Sequence, residues 1–207
     1  MERMACLVVG YLFGSFLTAE IVARLMGGTS IFELGDGNPG MANVGHELGS
    51  KAGIICLIGD ILKAALAILV AHLLFPDLGV IATAWAGLGA TLGHIFPFWH
   101  RFRGGKGVTT ISTAVILMAP LWGCLAGVVG VVSIVLSGYL SIAALCAMAF
   151  YTIAAYFTLP LDCALVSLVF MILQVTSHWS KLMGIRNGTT HRASLSTKFW
   201  AKVRGNK

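Results

Sequence analysis

Long apolar stretches separated by short polar ones run through almost the whole chain of 207 residues. The apolar segments cover residues 4–26, 52–75, 80–99, 107–118, 121–136, 139–158 and 161–177, with Pro120, Ser137-Gly138 and Pro160 as breaks in the last part. One membrane-spanning helix needs about 20 apolar residues, and residues 107–161 contain no Asp, Glu, Lys or Arg. The pattern predicts an all-α polytopic membrane protein with about seven transmembrane or partial helices.

The composition excludes the main alternatives to a membrane protein. Charged residues make up 11% of the chain and hydrophobic residues 57%, whereas charged residues account for about a quarter of a soluble domain. A soluble globular enzyme, a disordered tail and a DNA-binding module are therefore excluded. We expect residues 1–180 to form a single integral membrane domain and residues 181–207 to form a basic cytoplasmic tail.

Positive charge is concentrated in two segments, which predicts the orientation in the membrane. Three basic residues lie within 101–106, and seven of the 14 Lys and Arg residues lie in the last 30 residues, where no acidic residue occurs. Such segments usually face the cytoplasm, and counting the crossings then places the loop 27–51 on the same face and the N-terminus outside. We therefore expect binding or chemistry at the cytoplasmic face, with membrane lipids and not nucleic acid as partners.

A glycine-rich segment follows the third apolar segment and has the chemistry of a phosphate-binding loop. Gly104, Gly105, Lys106 and Gly107 precede a predicted helix. Glycines let backbone N–H groups turn toward an anion, the helix N-terminus adds positive potential, and lysine supplies a charge. The alternative is a flexible basic turn. Just upstream, His94 could be a general base, a phosphate ligand or a buried structural group.

A second polar cluster lies between the first and second apolar segments. The cluster is rich in glycine, proline and asparagine: Gly35, Gly37, Asn38, Pro39, Gly40 and Asn43. Glycine, proline and asparagine at these positions predict a tight turn rich in hydrogen-bond donors. Asp36 and His46 could form an acid/base pair there, or Asp36 could close an Asx turn while His46 is a solvated cap.

Two charged residues interrupt the second apolar segment. Asp60 and Lys63 are three positions apart, so they share one face of a helix. Ions within a membrane span are costly and usually pair. We interpret Asp60 and Lys63 as a structural ion pair rather than as catalytic groups, and no metal or cofactor is expected.

Taken together, these motifs resemble the bacterial acyl-phosphate:glycerol-3-phosphate acyltransferase family of the PlsY type. The strings 93–97 and 103–108 are similar to its second motif, and 35–44 is similar to its first. Positions 11–15, Asp60-x-x-Lys63 and 139–141 also resemble family positions, and His191-Arg192 resembles the start of its third motif. The resemblance implies a helical enzyme of the bacterial plasma membrane, with its motif loops and its C-terminus on the cytoplasmic face.

The resemblance also implies a reaction and a set of site residues. A fatty acyl group would move from acyl phosphate to glycerol 3-phosphate and give lysophosphatidic acid for phospholipid synthesis. The implied substrate-binding residues are Asn38, Gly40, Asn43, His94, Gly104, Gly105, Lys106, Gly107, Ser141 and Arg192. The candidate catalytic residues are His191, His46 and Asp36.

Several positions depart from the family pattern and leave a second hypothesis open. Asp36, Ala42 and His46 stand where the family usually has serine, threonine and arginine, and Ser194 stands where it has asparagine. The alternative is a noncatalytic or substrate-altered paralogue that binds or transports a phosphorylated lipid or metabolite.

A further acyltransferase pattern lies in the turn after the second segment. His72 and Asp77 match the H-x4-D pattern of many glycerolipid acyltransferases. Because the crossings place this turn on the outer face, we expect no catalytic role for His72.

Overall fold

The regular elements of the protein are helical throughout the residues that its computed structural model describes, 1–190 and 192–205. The helices are α1 Glu2–Gly14, α2 Thr18–Val22, α3 Met41–Glu47, α4 Ser50–Leu74, α5 Val80–Ile95, α6 Val108–Met118, α7 Pro120–Ser137, α8 Leu140–Thr158, α9 Leu161–Arg186 and α10 Ser194–Gly205. The chain divides into two compact units, Met1–Met118 and Ala119–Lys207. The predicted all-α class is confirmed.

Six helical segments within the described residues are long and apolar enough to cross a membrane. They are Glu2–Gly27, Ser50–Leu74, Val80–His100, Pro120–Ser137, Leu140–Thr158 and Leu161–Arg186. The remaining apolar segment, 107–118, forms α6, which has only 11 residues. The six long segments and α6 together correspond to the seven predicted segments. The last helix, α9, runs beyond residue 177 to Arg186, through a more polar stretch of the chain. The domain division at residue 180 stays a prediction.

The first span is interrupted in its middle. α1 ends at Gly14, α2 begins at Thr18, and a π-helical turn follows over Ala23–Gly27. Beyond the break, the Glu20 N–H donates to the Leu17 carbonyl oxygen at 3.1 Å. The Glu20 N–H would pair with the Phe16 carbonyl in an unbroken helix, so the interruption makes that carbonyl oxygen available to a side chain.

Small residues let α1 and α5 approach each other backbone to backbone. Gly10 and Gly14 lie on α1, and Gly89 and Gly93 lie on α5 with the same four-residue spacing. A Cβ on Gly14 would overlap the Ala90 carbonyl oxygen, and a Cβ on Gly93 would overlap that of Tyr11. Gly-x-x-x-Gly spacing is a common means of close helix packing in membranes.

The second unit consists of three long helices and the shorter α10. Pro120 occupies the first turn of α7, and Gly138, with φ of +84°, ends it. Pro160 precedes α9, so all three predicted breaks mark helix ends. In α10, the Trp200 indole Nε1 donates to the carbonyl oxygen of Val135 in α7 at 3.0 Å.

Candidate active site

The loop before α3 carries the first motif and is held in shape by the buried Asn43. Its Nδ2 donates to the Leu34 carbonyl oxygen at 2.9 Å, and its Oδ1 accepts from the Asp36 N–H at 3.2 Å. Gly35 has φ of +55°, and a Cβ there would overlap Asn43 Oδ1. Asn43 thus organises the loop through its own hydrogen bonds, a role different from the substrate binding that the family resemblance implied for it.

Asp36 and His46, the predicted acid/base pair, make other contacts in this loop. Asp36 Oδ1 accepts from the Asn38 N–H at 3.2 Å, which is the geometry of an Asx turn. His46 Nδ1 lies 2.7 Å from Glu47 Oε1, and the His46 side chain is 85% exposed. These contacts match the structural alternatives for both residues, and their catalytic role stays a prediction.

A buried carboxylate, Glu20, holds the beginning of the same loop. Its Oε2 accepts from Ser30 Oγ and from the Ile31 N–H, both at 2.9 Å, and its Oε1 lies 2.6 Å from Arg24 Nε. These donors compensate a charge that would otherwise be costly within a span. Sequence reasoning missed Glu20, although an acidic residue within the first apolar segment was a visible signal.

Residues 101–107 fold back onto the end of α5. The Gly105 N–H donates to the His94 carbonyl oxygen at 3.0 Å. A Cβ on Gly104 would overlap the same oxygen, and a Cβ on Gly105 would overlap the His94 ring nitrogen Nε2. Both positions therefore require glycine. Gly107 has φ of +75° and leads directly into α6, so the loop ends at a helix N-terminus, an arrangement suited to an anion.

The two motif loops lie side by side within the first unit. The Phe32 ring centroid is 5.6 Å from that of His100, and the Arg103 guanidinium carbon is 5.8 Å from the Phe32 centroid. A Cβ on Gly105 would come within 2.9 Å of the Pro39 carbonyl oxygen. The fold therefore brings the glycine loop next to the turn 38–40.

A buried polar network lies against the glycine loop. Lys63 Nζ is 2.9 Å from Asp60 Oδ1, 2.9 Å from His94 Nδ1 and 2.7 Å from the Phe16 carbonyl oxygen. Thr18 Oγ1 donates to Asp60 Oδ1 at 3.3 Å. The predicted Asp60–Lys63 ion pair is confirmed, and it extends to His94.

Two more predicted site residues lie in the second unit. Ser141 is buried in the first turn of α8. The Arg192 guanidinium carbon is 6.0 Å from the ring centroid of Tyr139, so Arg192 lies beside the turn that precedes Ser141. His191 lies outside the described residues, and its role stays a prediction.

His72 of the H-x4-D pattern has a structural partner. Its Nε2 lies 2.7 Å from Thr83 Oγ1, which joins α4 to α5. Asp77 lies in the short turn Pro76–Leu78. The hydrogen bond to Thr83 agrees with the structural interpretation of His72.

These features define a class of protein: a multi-pass helical membrane protein with a glycine-rich loop at a helix N-terminus, packed against a second polar loop. The sequence profile of the glycerol-3-phosphate acyltransferase family matches residues 4–188. The chain belongs to this family.

Named relatives and solved structures agree with this assignment. The chain is 32% identical over 195 residues to glycerol-3-phosphate acyltransferase 1 of Lactobacillus acidophilus, covering 94% of both chains. It is 35% identical over 199 residues to the enzyme of Coxiella burnetii, covering 94% of this chain and 100% of the relative.

The fold is similar to that of PlsY, an integral membrane glycerol 3-phosphate acyltransferase. The TM-score is 0.84 for its glycerol 3-phosphate form, at 26% identity and with 94% of this chain and 96% of that chain covered. The chain is a membrane acyltransferase of phospholipid synthesis, as the resemblance implied. These similarities favour the enzyme over the noncatalytic alternative.

Proposed function

We propose that the chain transfers a fatty acyl group from an acyl phosphate to the 1-hydroxyl of glycerol 3-phosphate. The reaction forms lysophosphatidic acid and releases inorganic phosphate. The observation that carries the proposal is the glycine loop 104–107, which folds onto His94 and leads into the N-terminus of α6. The two solved structures of PlsY that the fold is similar to are described as its glycerol 3-phosphate form and its lysophosphatidic acid form. This similarity supports a phosphorylated acceptor.

The acceptor phosphate binds at the glycine loop in this proposal. Gly104 and Gly105 let the loop pack directly against the end of α5, and the loop leads into the N-terminus of α6, whose backbone N–H groups attract an anion. Lys106, which is half-buried, supplies the positive charge. His94 contributes a ring nitrogen from the end of α5. A hydrogen bond to a charged group contributes about 1.5–3 kcal/mol, so these groups account for selection of a phosphorylated alcohol.

The donor occupies the neighbouring polar loop in this proposal. Asn38, Gly40 and Asn43 shape its headgroup pocket. Ser141 and Arg192, in the second unit, are the other substrate-binding residues that the family resemblance implies. The support within the first unit is the approach of Pro39, which lies in this loop, to Gly105. The acyl chain extends into the membrane, where apolar side chains on the helix surfaces accommodate it.

The transfer needs no covalent intermediate on the protein. The acceptor hydroxyl oxygen attacks the acyl carbonyl carbon, the bond from that carbon to the donor phosphate oxygen breaks, and the hydroxyl proton passes to a base. We assign this base to His191, with His46 and Asp36 as the other candidates. Because an acyl phosphate is an activated anhydride, alignment and charge neutralisation account for catalysis, and the proposal needs no metal or cofactor.

The proposal also assigns a membrane and an orientation. The protein lies in the bacterial plasma membrane, with the glycine loop and the C-terminus at the cytoplasmic face. Basic residues at positions 101–106 and along the C-terminal segment support this orientation. Trp99 and Phe102, which are 59% and 63% exposed, flank the loop and suit the membrane–water interface.

Product analysis tests the proposal directly. Purified protein in lipid nanodiscs receives labelled glycerol 3-phosphate with acyl phosphate, with acyl-CoA or with no donor. We expect lysophosphatidic acid and inorganic phosphate from acyl phosphate alone, and no product when glycerol replaces glycerol 3-phosphate. Product from acyl-CoA alone would contradict the donor assignment, and the absence of product from both donors would contradict the activity.

A further inference from the structure

The Lys63 ammonium group contacts three acceptors. They are the Phe16 carbonyl oxygen at 2.7 Å, Asp60 Oδ1 at 2.9 Å and His94 Nδ1 at 2.9 Å. An ammonium group has three hydrogens and no lone pair. With Asp60 as the counter-ion, each hydrogen of Lys63 has one acceptor, so Nδ1 of His94 must accept. A neutral imidazole that accepts at Nδ1 carries its proton at Nε2.

The interruption of the first span makes this arrangement possible. Phe16 lies between α1 and α2, where the break frees its carbonyl oxygen from the backbone ladder. Lys63 is 7% exposed and Asp60 is 2% exposed. Buried charges are retained when they are paired and hydrogen-bonded. The freed carbonyl and the carboxylate hold the ammonium in one position, with its third hydrogen directed at His94.

The opposite side of the His94 ring lies against the glycine loop. A Cβ on Gly105 would overlap Nε2, and the Gly105 N–H already donates to the His94 carbonyl oxygen. The tautomer that Lys63 selects therefore presents an N–H donor to the loop. The opposite tautomer would present a lone pair, which repels an anion.

We infer that Asp60 and Lys63 are positioning residues that hold His94 as its Nε2–H tautomer, so that the ring donates to the phosphate bound at the 104–107 loop. This inference rests on the proposed function because it assumes a phosphate at that loop. A purely structural ion pair would need only Asp60 and Lys63. Lys63 also donates to His94 Nδ1, and the other ring nitrogen of His94 faces the loop. This additional hydrogen bond distinguishes a positioning role from a purely structural ion pair.

A second hydrogen bond between the same two helices provides a matched control. His72 Nε2 and Thr83 Oγ1 join α4 to α5 at 2.7 Å, away from the glycine loop. Lys63→Met removes the donor to His94, and Thr83→Val removes the partner of His72 with little change in shape. We expect Lys63→Met to raise KM for glycerol 3-phosphate about 10-fold or more, with kcat changed less. Equal KM changes in both variants, or an unchanged KM in folded Lys63→Met, would overturn the inference.

The wild-type protein supplies a test that does not depend on a variant at position 63. Nitrogen-15 NMR of histidine-labelled protein distinguishes a protonated from an unprotonated ring nitrogen, and a His94→Gln sample identifies the His94 signals. We expect protonated Nε2, unprotonated Nδ1, and a shift of the Nε2 signal on titration with glycerol 3-phosphate. A protonated Nδ1, or an Nε2 signal that does not respond to bound ligand, would overturn the inference.

The NMR titration also separates this inference from the proposed reaction. It contains no acyl donor, so it reports on phosphate recognition alone. A responding Nε2–H in a protein that forms no product would support the positioning role and contradict the proposed transfer. Product formation with an unresponsive His94 would support the transfer and contradict the positioning role.

Discussion

Two side-chain hydrogen bonds join α4 to α5, and they differ in what lies beyond them. At one end, Lys63 contacts His94, whose ring borders the glycine loop. At the other end, His72 contacts Thr83, close to the turn Pro76–Leu78 that connects the two helices. Both bonds fix the register of an antiparallel helix pair.

The comparison shows that residue type alone does not identify a functional histidine. His72 belongs to an acyltransferase-like H-x4-D pattern, whereas His94 was open to a structural interpretation. His72 is paired with a neutral hydroxyl, while His94 is 4% exposed and lies between an ammonium group and a loop suited to anions. The surroundings of the ring therefore decide which histidine contributes to the site.

The largest expected effect comes from breaking the Asp60–Lys63 ion pair, which lies beside His94. Asp60→Leu leaves the Lys63 ammonium without its counter-ion, and loss of one partner of a buried pair costs about 3–5 kcal/mol. The double variant Asp60→Leu/Lys63→Met should recover most of that stability, because replacing both charges is often neutral. Thermal unfolding in detergent and KM for glycerol 3-phosphate are measured together. If the double variant regained the wild-type KM, the pair would be only structural.

The second prediction concerns the loop that His94 borders. Lys106→Ala removes a charge-assisted contact of about 1.5–3 kcal/mol, which corresponds to roughly a 10- to 150-fold rise in KM for glycerol 3-phosphate. Helical content, followed by circular dichroism, should not change. Lys51→Ala removes an exposed lysine from the first turn of α4 and is the matched control. Similar kinetics in both variants would contradict phosphate binding by Lys106.

The third prediction tests the packing that places His94. Gly93→Ala puts a Cβ against the Tyr11 carbonyl oxygen, and such overpacking costs about 1–3 kcal/mol. Gly127→Ala is the matched control, because no atom from outside its own stretch of α7 lies within 4 Å of a Cβ at that position. We expect a lower unfolding temperature for Gly93→Ala only. Equal unfolding temperatures in the two variants would show that the contact between α1 and α5 is not tight.

The smallest effect is expected from removing the hydrogen bond between His72 and Thr83. His72→Ala removes one neutral hydrogen bond, which contributes about 0.5–1.5 kcal/mol to stability. Acyl transfer should keep its wild-type kcat and KM, as measured in the product assay. A folded His72→Ala protein without activity would show that the H-x4-D pattern is catalytic. His72, which we treat as structural, would then belong to the active site.

Local rules account for the features that could be predicted from the amino-acid sequence. The lengths of the apolar segments predicted the spans, because transfer of a helix into lipid depends on its own residues. Pro120, Gly138 and Pro160 predicted helix ends from their restricted or permissive backbones. The spacing of Asp60 and Lys63 predicted their ion pair, because residues three apart share a helix face.

Some features were visible in the sequence without being interpreted. The pairs Gly10–Gly14 and Gly89–Gly93 have the spacing of close-packed membrane helices, and the structure places each pair against the other helix. Asn43 was assigned to substrate binding, yet its amide bridges Leu34 and Asp36. A sequence motif does not distinguish a side chain that binds a ligand from one that shapes the loop around it.

Composition and spacing established the membrane class, the spans and the motif loops, because each depends on residues close together in the chain. Contacts between distant residues required the tertiary structure. Lys63 and His94 are separated by 31 positions, and which nitrogen of His94 faces the loop depends on the rotation of α5 against α4. The close fit of Gly14 on α1 against Ala90 on α5 fixes α5 in a third helix's packing as well, and no single helix encodes such a fit by itself.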